Sequence, residues 1–77
     1  MASIQRIRFR LSLTSQEFLH YYQGHAQAVI VRAEDGRRIQ IPAHILRKFV
    51  TPSGISGRFE MRLDSTNKML SIEQIKG

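Results

Sequence analysis

Residues 6 to 13 read Arg6-Ile7-Arg8-Phe9-Arg10-Leu11-Ser12-Leu13, with apolar and polar residues in strict alternation over four repeats. Successive side chains of a β-strand point to opposite faces. The pattern therefore predicts a half-buried strand with Ile7, Phe9, Leu11 and Leu13 inward and three arginines on the wet face, spaced by about 6.5–7 Å. Downstream, Thr14 is placed as a helix N-cap and Glu17 completes a capping box. Phe18, Leu19 and Tyr22 then fall on one helical face, and Gly24 ends the helix. Gln27 to Ala33 is rich in β-branched residues, Glu34-Asp35-Gly36 supplies turn chemistry, and Arg38 to Ile41 resumes the alternation, which together signal a hairpin.

Pro42 suits the first turn of a second helix, with Ile45, Leu46, Phe49 and Val50 on its apolar face. That helix is short, partly 3₁₀, and stopped by Thr51-Pro52. Gly54 and Gly57 bracket a loop, Arg58 to Leu63 alternates with Phe59, Met61 and Leu63 inward, Asp64 to Lys68 turns, and Met69 to Ile75 makes the last strand. The predicted order is β-α-β-β-α-β-β. It corresponds to an α+β domain spanning residues 1–77, with a five-stranded, mainly antiparallel curled sheet or small, partly open barrel and two short helices plugging one side or the open end.

Composition narrows the function classes. The chain has 77 residues, 12 Lys+Arg against 6 Asp+Glu, and no cysteine. A domain of this size buries only about 60–65% of the surface its unfolded chain exposes, which leaves little stability to support a strained or deeply buried active site. Without cysteine there is no disulfide framework, thiolate nucleophile, Cys-ligated zinc or iron–sulfur cluster. No apolar run is long enough for a signal peptide or a membrane span, so a cytoplasmic location without membrane attachment is the expectation.

Enzyme signatures are missing. Gly54-Ile55-Ser56-Gly57-Arg58 has arginine where a nucleophile elbow needs its second glycine, and the glycines form neither a dinucleotide fingerprint nor a phosphate loop. Of the six carboxylates only Glu34 and Asp35 are neighbours, in a turn where solvent levels their titration. His20 and His25 are five residues apart across Gly24, which is not the same-face spacing of a helical metal site, and His44 has no evident partner. No metal, cofactor or catalytic residue is implied.

What remains is patterned positive charge. Arg6, Arg8 and Arg10 share a strand face, and Arg58 and Arg62 do the same on the fourth strand with Glu60 between them. Nine of the twelve cations are arginine, whose planar fork suits phosphate. A wet sheet face dressed in this way is one construction of a nucleic-acid platform. A solvated strand face guarded by arginine against edge pairing accounts for the same residues. Tyr21, off the apolar helix face, is the candidate for base stacking and equally reads as a residue at the margin of the core.

Two resemblances add to this. Tyr21-Tyr22-Gln23-Gly24, Val29-Ile30-Val31-Arg32, Asp35-Gly36-Arg37-Arg38-Ile39-Gln40, Pro42-Ala43, Leu46-Arg47, Phe49-Val50-Thr51 and Gly54-Ile55-x-Gly57-Arg58-Phe59-Glu60 resemble a family of short gamma-proteobacterial proteins known only as a domain of unknown function. That resemblance implies a stand-alone bacterial protein and no particular activity. Residues 36–48, Gly36-Arg37-Arg38-Ile39-Gln40-Ile41-Pro42-Ala43-His44-Ile45-Leu46-Arg47-Lys48, are similar to the core of AbrB-type swapped-hairpin DNA-binding proteins, which implies a homodimer and DNA. A strand and helix precede that segment here, a departure from the AbrB pattern. Arg6-x-x-x-Arg10 matches half of the PilZ cyclic-dinucleotide pattern, whose other half is absent. The expectation is a non-enzymatic module that binds an anionic partner, nucleic acid first, through Arg6, Arg8, Arg10, Arg58 and Arg62. The alternative is a protein-interaction or oligomeric adaptor that meets an acidic protein partner or pairs its outer strands with another chain.

Overall fold

A computed structural model describes residues 3–24 and 27–76. His25 therefore lies outside the described residues. Among those described, five strands and two short helices follow the predicted order: β1 (Gln5–Leu13), α1 (Ser15–Gln23), β2 (Ala28–Arg32), β3 (Arg38–Pro42), α2 (Ala43–Leu46) running into a 3₁₀ turn (Arg47–Phe49), β4 (Ile55–Leu63) and β5 (Met69–Ile75). β1, β4 and β5 form one antiparallel sheet with β4 in the centre, and β2 and β3 form a second. An antiparallel bridge between Phe9 and Ala33 joins the two, reinforced by the Glu34 N–H donating to the Arg8 carbonyl at 2.7 Å. The strands therefore run β3-β2-β1-β4-β5 around a common core. The curl stays open between β3 and β5.

Inward residues of both sheets make that core. Ile7, Phe9 and Leu11 from β1 meet Phe59 and Met61 from β4, Ile72 from β5, Val29 and Val31 from β2 and Ile41 from β3. Phe59 is fully buried; Phe9 stacks on it at 5.6 Å and Phe49 meets it edge-on at 5.0 Å. Both hairpins use the same three-residue loop. The Gly36 N–H reaches the Ala33 carbonyl and the Asn67 N–H reaches the Asp64 carbonyl, and both Gly36 and Asn67 take positive φ, the signature of a type I turn followed by a left-handed residue.

At the start of α1 the capping box is complete. The Glu17 N–H donates to Thr14 Oγ1 at 3.1 Å and the Thr14 N–H to Glu17 Oε1 at 2.9 Å. The apolar face of this helix differs from expectation at one residue: Phe18 is buried, but Leu19 is 47% exposed; Tyr21 packs at the margin of the core beside Tyr22, one of the two readings its sequence position offers. The helix packs against β1, β2 and α2.

A second difference concerns the expected loop bracketed by Gly54 and Gly57. β4 begins at Ile55, and Gly57 sits inside the strand opposite Leu11. The missing side chain at position 57 makes room for Gln74 of β5, whose Nε2 bonds the Ser56 carbonyl and would lie 2.3 Å from a Cβ there. Gly54 is the true corner. At φ +110° it presses against the β1–α1 junction, where a Cβ would come within 2.1 Å of the Leu13 carbonyl oxygen.

Candidate functional site

Ladder register decides how the arginines meet. β1 and β4 pair Arg6 with Arg62, Arg8 with Glu60, and Arg10 with Arg58. β5 continues the same rungs with Ser71, Glu73 and Ile75. All five predicted site residues, Arg6, Arg8, Arg10, Arg58 and Arg62, are therefore brought together on the outer face of one sheet. From Arg6 to Arg10 the face extends about 13 Å along β1.

Glu60 stands at the centre of this face and is the residue whose part the sequence pattern understated. Long arginine side chains close over it until only 6% of its surface is exposed. Arg8 Nε donates to its Oε1 at 3.1 Å, and Arg62 lies 3.6 Å from its Oε2. The hydrogen bond from Arg8 is the main influence holding the Glu60 carboxyl below its usual range, with Arg62 and Arg6 adding attraction and burial opposing. Arg62 also lies 3.6 Å from Glu73, while its Nε is buried without a hydrogen-bond partner among the described residues. Its two ion pairs are thus at the long limit, and neither fully engages the fork.

Arg58 is held differently. Its Nε and a terminal nitrogen make a forked contact with Glu34 at 2.6 and 2.7 Å, which keeps the Glu34 carboxyl below its ordinary value. The Glu34-Asp35 turn is therefore not uniformly solvated: Asp35 caps the Arg37 N–H and pairs with the Arg37 side chain at 2.7 Å. Three glutamates offset part of the five guanidinium charges. Arg6 has no carboxylate within 4 Å among the described residues. No aromatic residue occupies these rungs, so the face offers charge and hydrogen-bond donors but no stacking platform.

Other sequence candidates lie elsewhere. Tyr21 is half-buried and meets His20 edge-on at 6.2 Å, away from the arginine rungs. His44 is exposed on α2 beside a small cleft lined by Tyr22, Gln27 and Ala43. No cluster of three metal-ligating side chains occurs among the described residues, and no helix among them is long and apolar enough to cross a membrane.

Fold and site together define a small α+β protein with an open antiparallel curl and one basic sheet face. Over residues 5–75 the chain matches the protein family of unknown function DUF2835, and it belongs to that family. No curated protein and no solved structure matches it.

Proposed function

We propose that this protein is a non-enzymatic binding module whose outer β1-β4-β5 face docks the phosphate backbone of a nucleic acid. The observation that carries the reading is the register: two of the three rungs set arginine directly opposite arginine, Arg6 with Arg62 and Arg10 with Arg58. Like charges across a ladder destabilise a sheet. A polyanion laid along the face relieves that repulsion, and guanidinium forks engage phosphate in two-point contacts.

The lack of aromatic residues on the rungs favours a duplex backbone over stacked single strands, and contacts of this kind carry no sequence preference. Glu60, Glu73 and Glu34 already engage Arg8, Arg62 and Arg58, so fewer than five phosphates are neutralised. With two to three effective contacts, the slope of log affinity against log salt is about −2 to −3. Fluorescence anisotropy with a labelled duplex at low salt tests this. Arg6→Ala with Arg10→Ala removes one edge of the face and is expected to weaken binding at least about tenfold. Absence of binding at about 100 μM protein in low salt overturns the reading.

A further inference from the structure

The opening between β3 and β5 is a groove of about 340 Å³. Its floor is apolar, with Ile7, Ile45, Met61 and Leu63 among its residues, and it runs past residues 37–42 without a gap. A surface that touches every consecutive residue of a strand lies along the strand's edge, because each face carries only alternate residues. β3 pairs with β2 alone among the described strands, so this edge has no strand beside it.

Which main-chain groups face the groove follows from the hairpin bonds. The Ala33 N–H donates to the Arg37 carbonyl and the Ala43 N–H to the Gln27 carbonyl. Odd-numbered residues of β3 thus point their N–H and C=O toward β2. By the alternation of an antiparallel ladder, Arg38 and Gln40 point theirs into the groove. The rim is positive: Arg37 and Arg38 line it and no carboxylate does. Arg37 is already paired with Asp35, whereas Arg38 has no carboxylate within 4 Å among the described residues.

We infer that this groove takes an extended segment of an acidic protein partner, added as a strand to the free edge of β3. Its apolar side chains would enter the floor and an acidic side chain would reach Arg38. Three features select this occupant. An aliphatic ligand fills the floor but leaves the main-chain groups of Arg38 and Gln40 to solvent, whereas a strand bonds both. A second copy of this chain brings another +6 toward the first, so charge disfavours it. An acidic segment meets Arg38, the rim arginine with no carboxylate within 4 Å among the described residues. The groove is separate from the outer arginine face, so the inference does not depend on nucleic-acid binding.

The probe is a fluorescein-labelled peptide of alternating valine and aspartate, about seven residues long, the length of a typical strand with a margin. Two analogues carry N-methyl groups on odd or on even amides, with charge unchanged. Saturable binding at near-physiological salt is expected, with at least one analogue about tenfold weaker and the Arg38 and Gln40 amides protected from hydrogen exchange on binding. Arg38→Glu is expected to weaken the peptide about tenfold or more. Gln40→Pro removes an outward N–H, not a ladder bond, and should block strand addition. If that variant fails to fold, Arg38→Glu and the methylated peptides still decide. Equal binding of parent and both analogues, protection mapping to the outer face of β1, dimerisation protecting the same amides without peptide, or no saturation at about 1 mM each overturns the inference. Arg6→Ala with Arg10→Ala should leave peptide binding within about twofold while duplex binding falls, which separates this groove from the arginine face.

Discussion

Glu60 is the one carboxylate that the sheet cannot release to solvent, since Arg8 and Arg62 converge on it from two sides. Its folded titration is depressed, as are those of Glu34, Asp35 and Asp64, the last chiefly through the Thr66 hydroxyl. For a depressed carboxyl the unfolded chain takes up the proton first as pH falls. The stabilisation is therefore complete above the ordinary values of 3.8 for Asp and 4.5 for Glu and is lost progressively below them. Thermal unfolding followed from pH 7 to pH 3 should show a falling midpoint in that acid range, and Glu60→Gln should flatten the fall while lowering stability at pH 7. The same change frees Arg8 while Arg62 keeps Glu73, so it should tighten duplex binding and steepen the salt slope by about one unit. Gly54 gives a second test at this scale. Gly54→Ala combines a positive φ with a backbone collision at Leu13 and is expected to destabilise the fold by at least about 2 kcal/mol in chemical denaturation.

β1 shows how far local pattern determines an element. Its alternation specifies which side chains are buried and that Arg6, Arg8 and Arg10 share a strand face; that Arg58 and Arg62 join them follows from the pairing of β1 with β4, which local alternation does not encode. What the pattern leaves open is register. A shift of two residues would keep every burial assignment and yet set Arg8 across from an arginine rather than Glu60, so the central ion pair could not be read from sequence. The capping box of α1 was readable because it needs only Thr14 and Glu17 three residues apart, and Thr14→Ala should lower stability by about 1 kcal/mol in denaturant titration. Leu19 is the departure on α1, left exposed although it falls on the expected apolar face, whereas Tyr21 takes the core-margin place that its position offset from that face suggests; helical periodicity cannot say how wide the covered face of a helix is. Gly57 read as a loop because glycine in a strand signals a bend. Here it serves side-chain room for Gln74, a contact from 17 residues further along the chain.

At the scale of the molecule, the excess of positive charge divides into regions with different surroundings. The outer sheet face holds arginines partly bound to Glu34, Glu60 and Glu73, while on the rim of the seam between β3 and β5 Arg37 is paired with Asp35 and Arg38 has no carboxylate within 4 Å among the described residues. The core depends on the two-sided packing of Phe59, and Phe59→Ala is expected to lower stability by about 3–5 kcal/mol, a large fraction of what a domain of this size has. The open seam was foreseen as a partly open barrel; its depth and polarity depend on where β3 and β5 end relative to each other, which no local pattern encodes. Arginine rungs that form a working anion surface must show it in the salt dependence of duplex binding by the parent protein and Glu60→Gln. A log–log slope of about −2 to −3 is expected, becoming more negative by about one in the variant. No binding, or binding whose slope and strength ignore Glu60, would contradict it.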